Sequence, residues 1–198
     1  MNSACHSFSL LEMLLVMAVV AIVAALSIEG YAKTMQSTAV TTGANMISDA
    51  LVEGRSDAVA QNTPVEVRIY APTPSGASIS SGNYTAVQLH WLKADGTTPP
   101  VAIPLLLSSW IVIDATAAHS PLIASNPQIA TPDAGDARLN SQTRVFHFLP
   151  DGSTDLNPAT NWFMTVRAAT QADPAHFPVN WACVRVDPTT GRSQIFRP

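Results

Sequence analysis

A single carboxylate stands at the head of the longest apolar run in the chain. Residues 8–28, FSLLEMLLVMAVVAIVAALSI, contain Glu12 as their one charged residue. As a helix, residues 13–28 would span about 24 Å and residues 8–28 about 31 Å, which matches the hydrocarbon core of a bilayer. A carboxylate this close to hydrocarbon requires a positive partner, because an unpaired buried charge is strongly destabilising.

A free α-amino group at Phe8 would supply that partner. If the chain is cut between Ser7 and Phe8, Glu12 lies one helical turn from the new amine and on the same face. In a bundle of parallel, staggered helices the carboxylate of one chain meets the amine of its neighbour, and any other stagger leaves the charge unpaired. The spacing of Phe8 and Glu12 therefore predicts a role in aligning subunits within an assembly.

Two other interpretations of this run remain open. In the first, the run is a cleaved secretory signal, with the small residues of "ALS" (Ala25–Ser27) at the cleavage site and a mature chain that begins at Ile28. In the second, it is an uncut signal anchor, in which Glu12 costs about 2–3 kcal/mol if it lies deep in lipid. Both lead to a secreted or signal-anchored β-rich binding domain that does not form filaments.

The remaining polar residues show no spacing typical of a catalytic or metal site. The histidines are scattered along the chain, at His6, His90, His119, His147 and His176. Asp133 and Asp136 fall short of the six to eight oxygen ligands of a calcium site, and the chain has neither a GxSxG motif nor a glycine-rich phosphate loop. Cys183 lies in a strand-like run, which predicts a buried structural thiol. We therefore expect no enzyme activity, no cofactor and no bound metal.

Residues 29–62 continue the helix as an amphipathic segment. Its apolar positions recur at three- and four-residue steps and predict one buried stripe: Met46, Ile47, Ala50, Leu51, Gly54 and Ala58. Gly30, Gly43 and Gly54 lower helix propensity and predict either bending or local melting near Gly43, or close packing against a neighbouring element. The turn-forming Asn62–Pro64 ends the helix near Gln61.

Alternating runs rich in β-branched and aromatic residues follow the helix and predict strands. They cover residues 65–70, 84–92, 110–114, 144–150, 162–168, 181–187 and 192–197. Turn signals lie at 150–153 and 187–191, and residues 119–142 predict a long surface loop. A long N-terminal helix followed by these strands predicts an α+β fold, in which the stripe of the helix covers one face of a mostly antiparallel sheet.

The run FSLLEMLLVMAVVAIVAAL resembles the N-terminal cleavage and methylation motif of type IV pilins and type II secretion pseudopilins. That motif has a short leader, a processing site, Phe, a small polar residue, two aliphatic residues, Glu and an apolar helix. The resemblance implies that a prepilin peptidase cuts between Ser7 and Phe8, that Phe8 is N-methylated, and that Glu12 aligns the subunits. Ser7 stands where the family has Gly.

Three shorter segments are similar to minor pseudopilins of the GspH and FimT type: LVEGRSDAVAQNTPVEVRIY, VFHFLPDGSTD and VDPTTGR. More loosely, the chain resembles a cassette-encoded group of pilin-like proteins from verrucomicrobial genomes. The resemblance implies a leader at 1–7, a transmembrane helix at 8–28, its amphipathic continuation at 29–62 and a β-rich pilin-like domain at 63–198.

The resemblance also implies partners and a location. The partners are other pilin or pseudopilin subunits, the prepilin peptidase and the bacterial inner membrane, which the chain crosses once with its β-rich domain outside the cytoplasm. The expected function is that of a structural subunit, a minor pseudopilin, in a type IV pilus, a type II secretion assembly or a DNA-uptake assembly. The chain could then form part of a cell-surface filament.

FimT-like minor pilins are associated with DNA binding through basic residues near the C-terminus, here Arg185, Arg192 and Arg197. The formal net charge of −4 gives the whole chain no general attraction to DNA. Two or three phosphate contacts would bind DNA weakly and in a salt-sensitive way. The alternative is an edge strand kept soluble by its charges.

Overall fold

The computed structural model describes residues 10–70, 83–124, 143–171 and 176–198. Its elements are, in chain order, α1 (Leu10–Ala60), β1 (Val65–Tyr70), β2 (Asn83–Tyr84), β3 (Ala86–Trp91), β4 (Leu105–Leu106), β5 (Ile111–Asp114), α2 (Pro121–Ala124), β6 (Arg144–Phe148), β7 (Trp162–Ala168), β8 (Trp181–Val186) and β9 (Ser193–Phe196). The chain divides into two compact units, residues 1–36 and 37–198. Because the division lies within α1, helix residues 37–60 belong to the same unit as the strands.

The end of α1 is set by local turn residues. The helix stops at Ala60, and Asn62 takes a positive φ of 48°, a left-handed conformation that Asn tolerates better than most residues. The Thr63 N–H donates to the Ala58 carbonyl at 3.2 Å. Pro64, which has no N–H, then begins the extended chain.

The buried stripe of α1 is rotated slightly from the predicted one. Its members are Val40, Gly43, Ala44, Ile47, Leu51, Gly54 and Ala58. The prediction was wrong for Met46, which is 37% exposed, and Ala50 is only half-buried. At about 100° per residue, Met46 and Ala50 lie on one flank of the stripe rather than at its centre.

The two glycines of the stripe allow close packing. A Cβ on Gly43 would lie 2.2 Å from Cδ1 of Ile111, and one on Gly54 would lie 3.0 Å from Cδ2 of Leu89. The helix continues through both positions. Of the two interpretations that the sequence left open, the structure therefore shows close packing at both glycines.

The strands form two antiparallel sheets rather than the single sheet that was predicted. The four-stranded sheet has the order β4-β3-β1-β6, and the five-stranded sheet has the order β2-β5-β7-β8-β9. The run predicted as one strand is divided between them, since Tyr84 of β2 pairs with Ile113 of β5 whereas Ala86–Trp91 of β3 pair with β1. Alternation shows which face a residue occupies but not which sheet its strand joins.

Two short elements were not predicted. β4 pairs with the start of β3. Because β4 has only two residues, it is too short to give a periodic signal in the sequence. The expected loop at 119–142 contains the short helix α2, whose Leu122 and Ile123 are buried. Residues 125–142, including Asp133 and Asp136, lie outside the described residues.

One hydrophobic core joins the stripe of α1 to the inward faces of both sheets. Leu51 of α1 belongs to the same buried cluster as Val67 and Phe148 of the four-stranded sheet and Met164 and Val184 of the five-stranded sheet. Burying a large aliphatic or aromatic side chain contributes about 1.5–3 kcal/mol. The predicted α+β class, a long helix packed on antiparallel strands, is confirmed.

Candidate functional site

The first part of α1 carries an uncovered apolar surface. The side chains of residues 10–24 are exposed throughout, and Leu10 reaches 84% exposure. Glu12 lies in the first turn of this helix, where a carboxylate interacts favourably with the helix dipole. Continuous apolar surface of this kind is typical of a site that meets another apolar surface.

The described residues cover only part of the predicted processing site and membrane span. Ser7 and Phe8 lie outside the described residues. In the part of the chain that the structure describes, none of the helices has the combination of length and apolar content required to cross a membrane.

His147 forms a charged cluster on the outer face of the four-stranded sheet. Its Nδ1 lies 2.7 Å from Oδ2 of Asp155, and its Nε2 lies 3.2 Å from Oε2 of Glu66. Glu66 also accepts a hydrogen bond from Nε of Arg68, whose Nη2 donates to Thr98 Oγ1 at 2.8 Å. Pairing places these groups together, because Glu66 of β1 lies directly opposite His147 of β6.

The protonation state of His147 follows from these contacts. Burial lowers its pKa, but the hydrogen bonds to Asp155 and Glu66 outweigh burial and raise the pKa to about 9. For Glu66 the effect of burial is opposite in sign, because burial raises the pKa of a carboxyl group. The hydrogen bonds to His147 and Arg68 outweigh burial and bring the pKa of Glu66 below the ordinary value of a glutamate. With both ring nitrogens donating, His147 is a cationic bridge between two carboxylates and has no lone pair for a metal.

A second buried ion pair lies on the five-stranded sheet. Nε of Arg167 donates to Oδ2 of Asp114 at 2.9 Å, and Nδ1 of His119 lies 3.3 Å from the same oxygen. Burial raises the pKa of Asp114, but hydrogen bonds from Thr116 and Arg167 lower it overall. The His119 ring also contacts the Phe177 ring in a tilted arrangement, with a centroid distance of 4.3 Å.

His90 is also explained by packing. It is buried, and its Nδ1 lies 2.8 Å from the carbonyl oxygen of Thr98.

Cys183 on β8 is half-buried, and burial raises the pKa of its thiol to about 11. The predicted buried thiol is thus only partly buried, and a thiol of such high pKa is a poor nucleophile at neutral pH.

Arg55 on α1 holds two loops against the helix. Its Nε–H donates to the carbonyl oxygens of Gly152 at 3.1 Å and of Thr190 at 2.8 Å. Gly152 and Gly191 both have positive φ, and a Cβ on Gly191 would lie 2.2 Å from the Gly152 oxygen. We call Arg55, Gly152, Thr190 and Gly191 the arginine clamp. The three short segments that resemble minor pseudopilins each supply a member of it.

An apolar groove runs between α1 and the β3–β4 edge of the four-stranded sheet. Its volume is about 540 Å³. Met46, Asp49, Ala50 and Glu53 form the helix wall, and Val87, Gln88, Leu89 and residues 102–106 form the sheet wall. Sequence analysis missed this groove, since its sheet wall comes from the unpredicted strand β4.

The three C-terminal arginines do not form one cluster of open cations. Arg197 donates to Thr41 Oγ1 on α1 and, through Nη2, to Asn180 Oδ1 at 2.9 Å. Arg185 is exposed on β8, opposite Gln194 of β9, and Arg192 is exposed just before β9. Arg197 thus anchors the C-terminal strand to the helix, and DNA contact by the arginines stays a prediction.

Comparison with known proteins finds a motif match at the N-terminus and solved structures of similar fold. The model of the prokaryotic N-terminal methylation motif matches residues 2–28, a range that includes Ser7, Phe8 and Glu12. A crystal structure of the minor pseudopilin EPSH from the type II secretion system of Vibrio cholerae is 13% identical, with a TM-score of 0.50, over 82% of this chain and 96% of that chain. The fold of this chain is similar to that of a minor pseudopilin.

Two further solved structures are similar to this chain. A second structure of EpsH from Vibrio cholerae is 11% identical, with a TM-score of 0.47, over 80% of this chain and 97% of that chain. The type IV minor pilin FimU from Pseudomonas aeruginosa is 12% identical, with a TM-score of 0.46, over 80% of this chain and 92% of that chain. No curated protein sequence matches the chain significantly.

Proposed function

We propose that this chain is a structural subunit, a minor pseudopilin, of a type IV pilus, a type II secretion assembly or a DNA-uptake assembly. One observation carries the proposal: a prepilin methylation motif, with Glu12 in the first helical turn, leads directly into an exposed apolar helix and a pilin-like domain. In this role the chain contributes surfaces for packing and performs no catalysis.

The apolar half of the helix has two successive environments in this proposal. Before assembly, residues 8–28 lie in the inner membrane and the β-rich domain lies outside the cytoplasm. During assembly, the same apolar side chains leave lipid and pack against the helices of neighbouring subunits. Both environments remove the exposed side chains of residues 10–24 from water, which is favourable by about 25 cal/mol per Å² of apolar area.

Glu12 provides the register of that packing. Cleavage after Ser7 leaves an α-amine at Phe8, and N-methylation keeps it basic. A neighbouring helix whose stagger brings its amine to Glu12 neutralises both charges, whereas other staggers leave a carboxylate in an apolar surrounding. The apolar contact between the helices favours no particular stagger. The ion pair between Glu12 and the neighbouring amine therefore selects the stagger.

The mature N-terminus tests the proposal. We expect intact-mass and N-terminal peptide analysis of the membrane-extracted protein to show a chain that starts at Phe8 and carries one N-methyl group. A Ser7→Gly variant, which restores the residue usual in the family, serves as the reference for complete cleavage. A chain that starts at Ile28 would support a secreted domain instead, and an uncut chain in both variants would support a simple signal anchor.

A further inference from the structure

The groove beside β4 is lined mainly by apolar side chains and carries two carboxylates on its α1 wall. Ile103 is 90% exposed at its rim, and Leu106 and Met46 are also exposed. Asp49 and Glu53, its two charged lining residues, both belong to the helix wall. β4 is the terminal strand of the four-stranded order, so its outer edge lies beside the groove.

The β9 edge is a basic, apolar surface. β9 is the terminal strand of the five-stranded order, and Phe196 on it is 46% exposed, with Ile195 exposed beside it. Arg192 precedes the strand and is exposed. Within the described residues, β9 pairs along one side only, with β8.

These two surfaces lie on opposite flanks of the same helix segment. Ser193 of β9 contacts Ser48 of α1, with 2.9 Å between their hydroxyl oxygens. At about 100° per residue, Ser48 lies on one side of the buried stripe, whereas Met46 and Glu53 lie on the other. A chain that presents complementary surfaces on opposite flanks can repeat side by side about an axis along its helix.

We propose that the β9 edge of one copy of this chain docks in the α1–β4 groove of a second copy. The inference rests on the proposed function, because it assigns the lateral contact between domains whose helices are already packed together. Arg192 lies against Asp49 and Glu53 of the next copy, and Phe196 and Ile195 meet Ile103 and Leu106. Opposite charges steer the contact and fix its direction, while the apolar side chains are removed from water.

A second copy is the occupant that the charges favour. The groove carries acids and the β9 edge carries a basic residue on the same chain, so each copy supplies the complement of its neighbour. A contact of groove with groove would place Asp49 and Glu53 against the same carboxylates and would be repulsive. The contact is therefore head-to-tail, and a pair of copies keeps one unused groove on one member and one unused β9 edge on the other.

Site-specific photo-crosslinking in the full-length chain tests the proposal. A photoreactive phenylalanine analogue replaces Ile103 in a tagged copy, and an isotopically labelled second copy is produced in the same membranes. We expect a crosslink that mass spectrometry maps to residues 193–196 of the labelled copy. A crosslink that maps to residues 101–106 of the second copy, or to another protein only, would overturn the proposal.

Charge exchange gives the quantitative test. Arg192→Glu or Glu53→Arg alone should lower the crosslink yield about fivefold, since one attractive pair becomes repulsive. A labelled Arg192→Glu copy should recover the yield when the tagged copy carries Glu53→Arg. Lys93→Glu, the same charge change at an exposed loop residue away from both surfaces, should leave the yield unchanged.

The same photoreactive residue at Leu14 separates this proposal from the proposed function. Helix-to-helix crosslinks at Leu14 without any at Ile103 would leave the assembly role standing and remove the docking mode. Absence of every Leu14 crosslink, to a second copy and to any other pilin-like subunit, together with absence of crosslinks at Ile103, would overturn both.

Discussion

His147 holds a proton between two carboxylates that come from distant parts of the chain. Its nitrogens lie 2.7 Å from Asp155 and 3.2 Å from Glu66, and its side chain is 19% exposed. Hydrogen bonds to both acids outweigh burial and raise its pKa to about 9, above the ordinary value of about 6.5. The proton is therefore bound more tightly in the folded chain than in the unfolded chain.

That difference predicts a pH-dependent contribution to stability. His147→Gln should lower the free energy of unfolding by roughly 2 kcal/mol at pH 6, where the folded and unfolded states of the wild type both carry the proton. The loss should shrink as the pH rises from about 6.5 to 9, because the folded protein then gives up the proton that stabilises it. Denaturant unfolding at pH 6 and pH 10 measures both values.

The matched control is His176→Gln, at an exposed histidine. We expect its effect to be small and independent of pH over the same range. An equal loss for His147→Gln at pH 6 and pH 10 would show that the residue acts through packing alone and not through its charge.

At the scale of elements, the arginine clamp fixes two loops to α1. Arg55 donates to Gly152 and Thr190, and the left-handed conformations of Gly152 and Gly191 bring their backbones within reach of the guanidinium. The β8–β9 hairpin is thereby tied to the helix at its turn, and Arg197 ties it again at its far end. The position of the β9 edge relative to α1 follows from these two attachments.

Gly191→Ala should release the first attachment. The new Cβ would lie 2.2 Å from the Gly152 carbonyl oxygen, and a φ of +63° is unfavourable for alanine. We expect a loss of at least about 2 kcal/mol in the free energy of unfolding, measured by thermal or denaturant unfolding.

Gly96→Ala is the matched control. Gly96 has a φ of +81°, but nothing lies within 4 Å of its added Cβ. This variant should lose only about 1 kcal/mol, from the backbone conformation alone. Equal losses in the two variants would mean that the close approach of Gly191 to Gly152 contributes nothing.

At the scale of the whole molecule, the proposed function makes assembly depend on Glu12, one carboxylate in an apolar helix. Glu12→Val removes the charge and keeps an apolar side chain, so anchoring and cleavage before Phe8 should continue. Incorporation into the assembly should fall at least about tenfold, because a neighbouring amine would then lack its partner. Separation of sheared filaments or pseudopili from membranes, followed by immunoblotting, measures the incorporated fraction.

Glu29→Val serves as the control for that experiment, since it removes a carboxylate from the same helix outside the run of residues 8–28. It should leave incorporation close to that of the wild type. Normal incorporation of Glu12→Val would remove the register role from the proposed function while leaving the apolar packing of the helices in place.

Much of the architecture could be predicted because it depends on neighbours along the chain. Helical periodicity, the turn at Asn62–Pro64 and the alternation of the strands are local properties, and the structure has α1 and most predicted strands within a few residues of their expected bounds. The spacing of Phe8 and Glu12 is local too, which is why the prepilin motif was recognisable before any fold was known.

Contacts between distant segments could not be predicted in this way. The division of residues 84–92 between two sheets, the bridge of His147 to Glu66 and the union of Arg55 with Gly152 and Thr190 all depend on strand register and on how the sheets meet the helix. An alternating pattern specifies which face of a strand is buried and leaves its partner open. The pairing therefore depends on the shared core, which buries the apolar faces of both sheets, and on the buried ion pairs of Arg68 with Glu66 and of Arg167 with Asp114.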